Sequence, residues 1–127
     1  MRVSNSIVAV VGAGLSLAAT SAFAHHSFSM FDFQKSVTLE GTVKEFQWTN
    51  PHSWVQLVVV DPKTGNDVEW SIEGGALNLL ARQGWSRNSL KPGDKATIII
   101  HPLKDGTAGG SLVSASANGV EVSRKDQ

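Results

Sequence analysis

Apolar and polar residues alternate along much of this chain, and that alternation predicts strands. From Val37 the apolar or small positions fall at Leu39, Gly41 and Val43, the period of two of a strand with one buried face. The parity changes at Glu45-Phe46 and resumes at Phe46 and Trp48. This predicts a bulge or bend, with Gly41 a second place where the strand can curve. Asn50-Pro51 is a turn signal. Residues 54–60 (WVQLVVV) read as a second strand, ending in a hairpin turn at Asp61-Pro-Lys-Thr-Gly65. In a third strand Val68, Trp70 and Ile72 alternate with Asp67, Glu69, Ser71 and Glu73, so one face is dry and the acids are expected on the wet side.

The only helical spacing follows, at residues 76–83 (ALNLLARQ), opened by Gly74-Gly75 and closed by Gly84 as a C′ glycine. A turn at Leu90-Lys-Pro-Gly93-Asp94 leads to a fourth strand at 95–101 (KATIIIH), and Asp105-Gly106 turns the chain into a last strand or pair within 111–122. The expected fold is therefore all-β with one short helix, in the order β-β-β-α-β-β. That is the order of a five-stranded OB-fold-like barrel, whose long first strand bends to serve both ends and whose helix plugs the barrel between strands three and four. A small sandwich or a lipocalin-like half barrel needs no helix at that position.

The first residues read differently. Arg2 precedes an apolar run at 7–19, and Ala22-Phe23-Ala24 has the small-x-small form of a signal-peptidase site. The run is shorter than the ~20 residues that span a bilayer core. Residues 1–24 are thus expected to be a cleaved signal peptide, 25–34 an amino-terminal segment, 35–122 the barrel and 123–127 a polar tail. The mature form is expected to be periplasmic and to have no membrane span.

Composition narrows the chemistry. Eleven Lys+Arg balance eleven Asp+Glu, so no general field favours a polyanion, and nucleic acid is not an expected partner. Cysteine and tyrosine are absent, which removes thiol catalysis, cysteine metal sites and phenolic acid–base chemistry. No nucleophile elbow, P-loop or dinucleotide fingerprint occurs, and the expectation is a non-enzymatic protein.

Cleavage after Ala24 makes His25 the first residue and His26 the second. A free α-amine and an imidazole both give up their protons to a metal near neutral pH. His25 can then chelate through its amine and Nδ1, and His26 through the amine, the intervening amide and its ring. Nitrogen donors of this kind suit Cu(II). His52 and His101 are the further candidate metal ligands, provided the amino-terminal segment folds back over the barrel. Asp32 is a candidate outer-shell partner of His25 or His26. With Met30 the only methionine after residue 24, a Cu(I) chaperone is disfavoured.

The densest cluster of large and polar side chains, from Phe46 to Trp54, lies at the junction of strands one and two. There Trp48 and Trp54 can stack on a ligand while Asn50, His52 and Ser53 supply hydrogen bonds. The tryptophans, Trp70 above all, serve equally as core. The His25-His26-Ser27-Phe28 start, Phe31-Asp32, Leu39-Glu-Gly-Thr-Val43, Trp48-Thr-Asn-Pro-His52, Trp70-Ser-Ile-Glu73, Leu80-Ala-Arg82-Gln-Gly84-Trp85, Leu90-Lys-Pro-Gly-Asp94 and Pro102-Leu-Lys-Asp-Gly106 together resemble a family of small exported bacterial proteins of unknown function. That resemblance implies an exported β-barrel with no assigned activity, and its signature residues add Glu73, Arg82 and Trp85 to the candidate ligand-binding set of Trp48, Asn50, His52 and Trp54. Two readings stand: a Cu(II)-binding or accessory domain built on His25, and a metal-free module taking a small molecule, glycan or partner protein through the aromatic rim. A weaker third is an accessory subunit of a periplasmic redox protein.

Overall fold

The computed structural model describes residues 30–122, so the expected signal peptide at 1–24, His25, His26 and the tail at 123–127 lie outside the described residues. The elements are β1 (Val37–Gln47), β2 (Trp54–Val60), β3 (Asp67–Glu73), α1 (Leu77–Arg82), β4 (Lys95–Pro102), β5 (Gly109–Ala117) and β6 (Val120–Glu121). The strands pair in the order β3-β2-β1-β4-β5-β6, and a parallel pairing of β3 with β5 closes the first five into a barrel. The fold is thus mostly β with one short helix and OB-like, as the alternation and the helix position predict.

A closed barrel requires its first strand to turn a corner. Residues Val37 to Thr42 of β1 pair with β4, and from Thr42 to Gln47 the strand pairs with β2. The register shifts between Val43 and Glu45, where the sequence parity changes. One extra residue there lets Val43 and Phe46 both face the interior. At Gly41 the backbone passes so close to the Val58 carbonyl that any Cβ would collide with it.

Leu39, Val43, Val55, Leu57, Ile72, Ile98 and Ile100 fill the barrel, and Leu80, Trp85 and Leu90 join them from outside the strands. Full burial of one such side chain contributes about 1.5–3 kcal/mol. The helix is short and turns only Leu80 inward. It ends in a Schellman motif: Trp85 N–H donates to Leu80 O at 2.9 Å and Gly84 N–H to Ala81 O at 3.1 Å, with Gly84 at φ 90°. That geometry swings the Trp85 ring back onto Leu80 and into the core.

Upstream of β1, an amino-terminal arm at residues 30–35 continues along β4. Phe31 bridges to Leu103, Asp32 N–H donates to Pro102 O at 2.8 Å, and Lys104 N–H donates to Met30 O at 2.9 Å. Phe31 is 6% exposed, so the arm is fastened by an apolar anchor as well as by backbone bonds.

Candidate functional site

The loop between β1 and β2 is held on both sides. Thr49 Oγ1 donates to His52 O at 2.8 Å, and Asn50 Oδ1 accepts Leu77 N–H at 3.1 Å, a donor that α1 has no cap of its own to satisfy. The next anchor is Ser53, 1% exposed, whose N–H and Oγ both donate to Gly75 O, while Gly74 N–H donates to Ser53 O. This clasp requires glycine at 74, because a Cβ there would meet Ser53 Oγ. The Ser53 hydroxyl is thereby committed to structure.

The clasp brings His52 to the end of β3. Its Nδ1 lies 3.2 Å from Glu73 Oε1 and 3.4 Å from Gly74 O. Both neighbours are acceptors, so Nδ1 is the nitrogen that donates, and in the neutral ring Nε2 keeps the lone pair. The His52 side chain is 47% exposed and that of Glu73 only 12%. Glu73 shares the outer face of β3 with Asp67 and Glu69, as the sequence indicates, yet it is mostly covered and serves as the acceptor for an imidazole. A carboxylate on the far nitrogen of a histidine is the arrangement that fixes tautomer and ring orientation in metal-ligating histidines.

His101 is fixed in the same sense by the arm. Its Nδ1 lies 2.7 Å from Lys35 O, and the Phe33 ring packs edge-on against it at a centroid distance of 5.3 Å. The registers His101↔Ser111, Ser111↔Glu73 and Glu73↔Trp54 set these four residues in one row across β4, β5, β3 and β2. They alternate with the buried Ile100, Gly110, Ile72 and Val55, so the row is on the outer face. His101 and Glu73 are two strand spacings apart, about 10 Å between backbones.

Beside this row is a cleft of about 280 Å³ lined by Met30, Phe31, Trp54, Glu73, Leu103 and Thr107, among others. The arm forms one wall. On the loop side Thr107 is held by Asp105, whose Oδ1 accepts both its N–H at 2.9 Å and its hydroxyl at 2.7 Å. These bonds stabilise the carboxylate and hold the Asp105 pKa below its ordinary value. On the same face Lys44 Nζ bonds Glu69 Oε2 at 2.7 Å, which raises the Lys44 pKa.

The other candidates are dispersed. Trp85 is buried in the core, and Trp48 is half-buried, edge-on to Phe46. Arg82 is exposed in the last turn of α1. Asn50 is occupied in capping that helix. Asp32 Oδ1 accepts Gln34 N–H, and its carboxylate pairs with Lys35 at 3.4 Å. The structure therefore gathers His52, Glu73 and Trp54 at one place, with His101 further along the row. Among the described residues no three His, Cys, Asp or Glu side chains converge as a metal cluster, and no helix is long and apolar enough to cross a membrane. Sequence reasoning missed the walls supplied by Met30, Phe31 and Leu103. The short aromatic segment at 28–33 was the available signal for Met30 and Phe31.

A small OB-like barrel with a docked arm and a histidine–carboxylate pair beside its outer cleft is the class of protein these features define. The chain belongs to a family of unknown function (DUF6152), whose profile matches residues 13–113. No curated protein and no solved structure matches it.

Proposed function

We propose that the protein is an exported, periplasmic, non-enzymatic domain that binds Cu(II) through the amine and imidazole of His25, freed by cleavage after Ala24, together with Nε2 of His52. The observation that carries this reading is the course of the arm. Met30, five positions after His25, lines the same cleft as Glu73, the carboxylate that orients His52. Five extended residues reach at most roughly 17 Å, and the reading requires His52 to lie within that span of Met30. His52 and His101 both have Nδ1 tied to oxygen, which leaves Nε2 as the donor atom a divalent copper ion takes. The described residues supply at most part of a ligand set, so the terminal chelate is the element on which binding depends.

The test is a Cu(II) titration of the exported protein beside a version carrying one extra residue before His25. The mass of each amino terminus is measured first. Tight uptake by the first and a loss of at least about tenfold in the second is the expected result. Equal uptake by both, or an exported product that does not begin at His25, overturns the reading.

A further inference from the structure

The outer face of β2 and β3 has a character of its own, independent of copper. Trp54 on β2 lies in register with Glu73 on β3, and Gln56 Nε2 donates to Ser71 Oγ at 3.2 Å on the same face. Thr107, from the loop between β4 and β5, and the arm complete the walls of the cleft above them. An indole therefore lies beside a carboxylate and two hydroxyls in a recess closed on one side by Met30 and Phe31, and the Gln56 amide borders that recess through its bond to Ser71.

We propose that this face binds the end of a short neutral or amino-sugar-containing oligosaccharide, with Trp54 as the stacking platform and Glu73, Gln56, Ser71 and Thr107 as hydrogen-bond partners. Three classes of ligand compete, and the chemistry separates them. A wholly apolar ligand would strip water from the Glu73 carboxylate and the hydroxyls without replacing its hydrogen bonds, a costly exchange. A polyphosphate or sulfated chain meets Asp67, Glu69 and Glu73 on one strand face, and Lys44 beside them is already tied to Glu69. A pyranose satisfies both requirements. Its C–H face lies on an indole, and its hydroxyls donate to a carboxylate and exchange bonds with an amide that is donor and acceptor at once. A protonated amino group adds attraction to Glu73. The β2–β3 face with its flanking loops is also where OB-folds present themselves to extended ligands, which suits a chain end rather than an isolated ring.

This names a ligand class for the metal-free reading of the barrel, and it stands or falls without copper. The test uses the mature protein treated with chelator and follows the tryptophan indole and backbone amide resonances. It is titrated with the tetrasaccharide of N-acetylglucosamine, that of glucosamine, and a sulfated heparin tetrasaccharide. The expected result is saturable shifts at the Trp54 indole and the Gln56, Ser71 and Thr107 amides with one or both of the first two sugars and none with the third. Trp54→Ala is expected to weaken binding by at least about tenfold, while Trp54→Phe keeps most of it. Because shift mapping on the unaltered protein needs no variant, a misfolded substitution cannot mask the answer. Absence of saturable shifts with both sugars into the millimolar range, shifts located elsewhere, equal binding of the sulfated chain, or binding that appears only with copper each overturns the proposal. Copper uptake that fails while sugar binding persists removes only the His25 reading.

Discussion

Asn50 Oδ1 takes the amide hydrogen of Leu77 at 3.1 Å, so the loop that presents His52 and the first turn of α1 hold one another in place across 27 positions of sequence. The helix has no capping side chain of its own, and Ala76 stands at its N-cap. Asn78 Oδ1 takes the Leu79 amide at 3.0 Å, but the Leu77 amide is served by Asn50, so removing that oxygen is equivalent to deleting an N-cap. Asn50→Ala is therefore expected to cost about 0.5–2 kcal/mol in urea unfolding, and Asn50→Asp, which keeps an acceptor, much less. Faster exchange of the Leu77 amide in the alanine variant checks that the loss arises at this bond.

How far the fold was legible follows from which interactions a one-dimensional pattern records. The parity change at Glu45-Phe46 revealed the bulge in β1, since a bulge shifts the alternation itself. Gly84 marked the helix end because only a residue at ease at φ 90° completes that Schellman turn without strain. Alternation also set Glu73 on the outer face. It could not show that His52, brought near by the Ser53–Gly75 clasp, covers that carboxylate, because a period of two says which face a residue takes and nothing about what lies above it. The docking of Phe31 on Leu103 was invisible for a related reason. A single bridge between residues 72 positions apart leaves no periodic trace. The OB-like order implied a closed barrel, but the alternation of β3 and of β5 taken separately does not give the register between them, and that register creates the outer row.

The arm is expected to detach without unfolding the barrel. Phe31 lies outside the main core cluster, and its ring rests on the β4–β5 side of the molecule. Phe31→Ala should therefore leave the barrel's melting temperature nearly unchanged while opening the segment locally. The amides to watch are Asp32, which donates to Pro102 O, and Lys104, which donates to Met30 O. Their hydrogen exchange is expected to rise at least about tenfold, a local loss of roughly 1.4 kcal/mol. Unaltered exchange at both would show that the backbone bonds hold the arm without the ring.

Acid is expected to loosen the rim of the cleft at Thr107. In the folded chain two hydrogen bonds from Thr107 stabilise ionised Asp105 and hold its pKa below the ordinary carboxylate value. The contribution of this turn is thus fully present above that ordinary value and disappears as the pH falls through the lowered one. A pH titration following the Thr107 amide should show its resonance, and its protection relative to the intrinsic exchange rate, staying constant from neutral pH down to the ordinary carboxylate range and changing only below it. Asp105→Asn, whose Oδ1 still accepts both bonds, is expected to keep the turn and lose the acid transition.

Glu73 is expected to act on copper through His52 rather than by binding the ion. Its Oε1 lies 3.2 Å from Nδ1, so it fixes which nitrogen carries the proton and which way the ring faces. Outer-shell carboxylates of this kind contribute about 10–100-fold to metal affinity. Glu73→Ala should weaken Cu(II) binding by about tenfold in a competition titration, leaving Gly74 O at 3.4 Å as the remaining acceptor. Glu73→Gln separates orientation from charge, since its amide oxygen still accepts the Nδ1 proton: affinity near the original means that orientation matters, and affinity near that of the alanine variant means that the negative charge does. His52→Ala should cost more than either if Nε2 is a ligand. His101→Ala should weaken uptake only as far as it frees the arm, because its Nδ1 holds Lys35 O at 2.7 Å. The His52–Glu73 pair, with the imidazole half-exposed, contributes at most about 1 kcal/mol to folding, so the His52 and Glu73 variants should melt within a few degrees of one another. Equal copper affinity in all of them would remove the barrel from the site and leave the terminal chelate to bind alone.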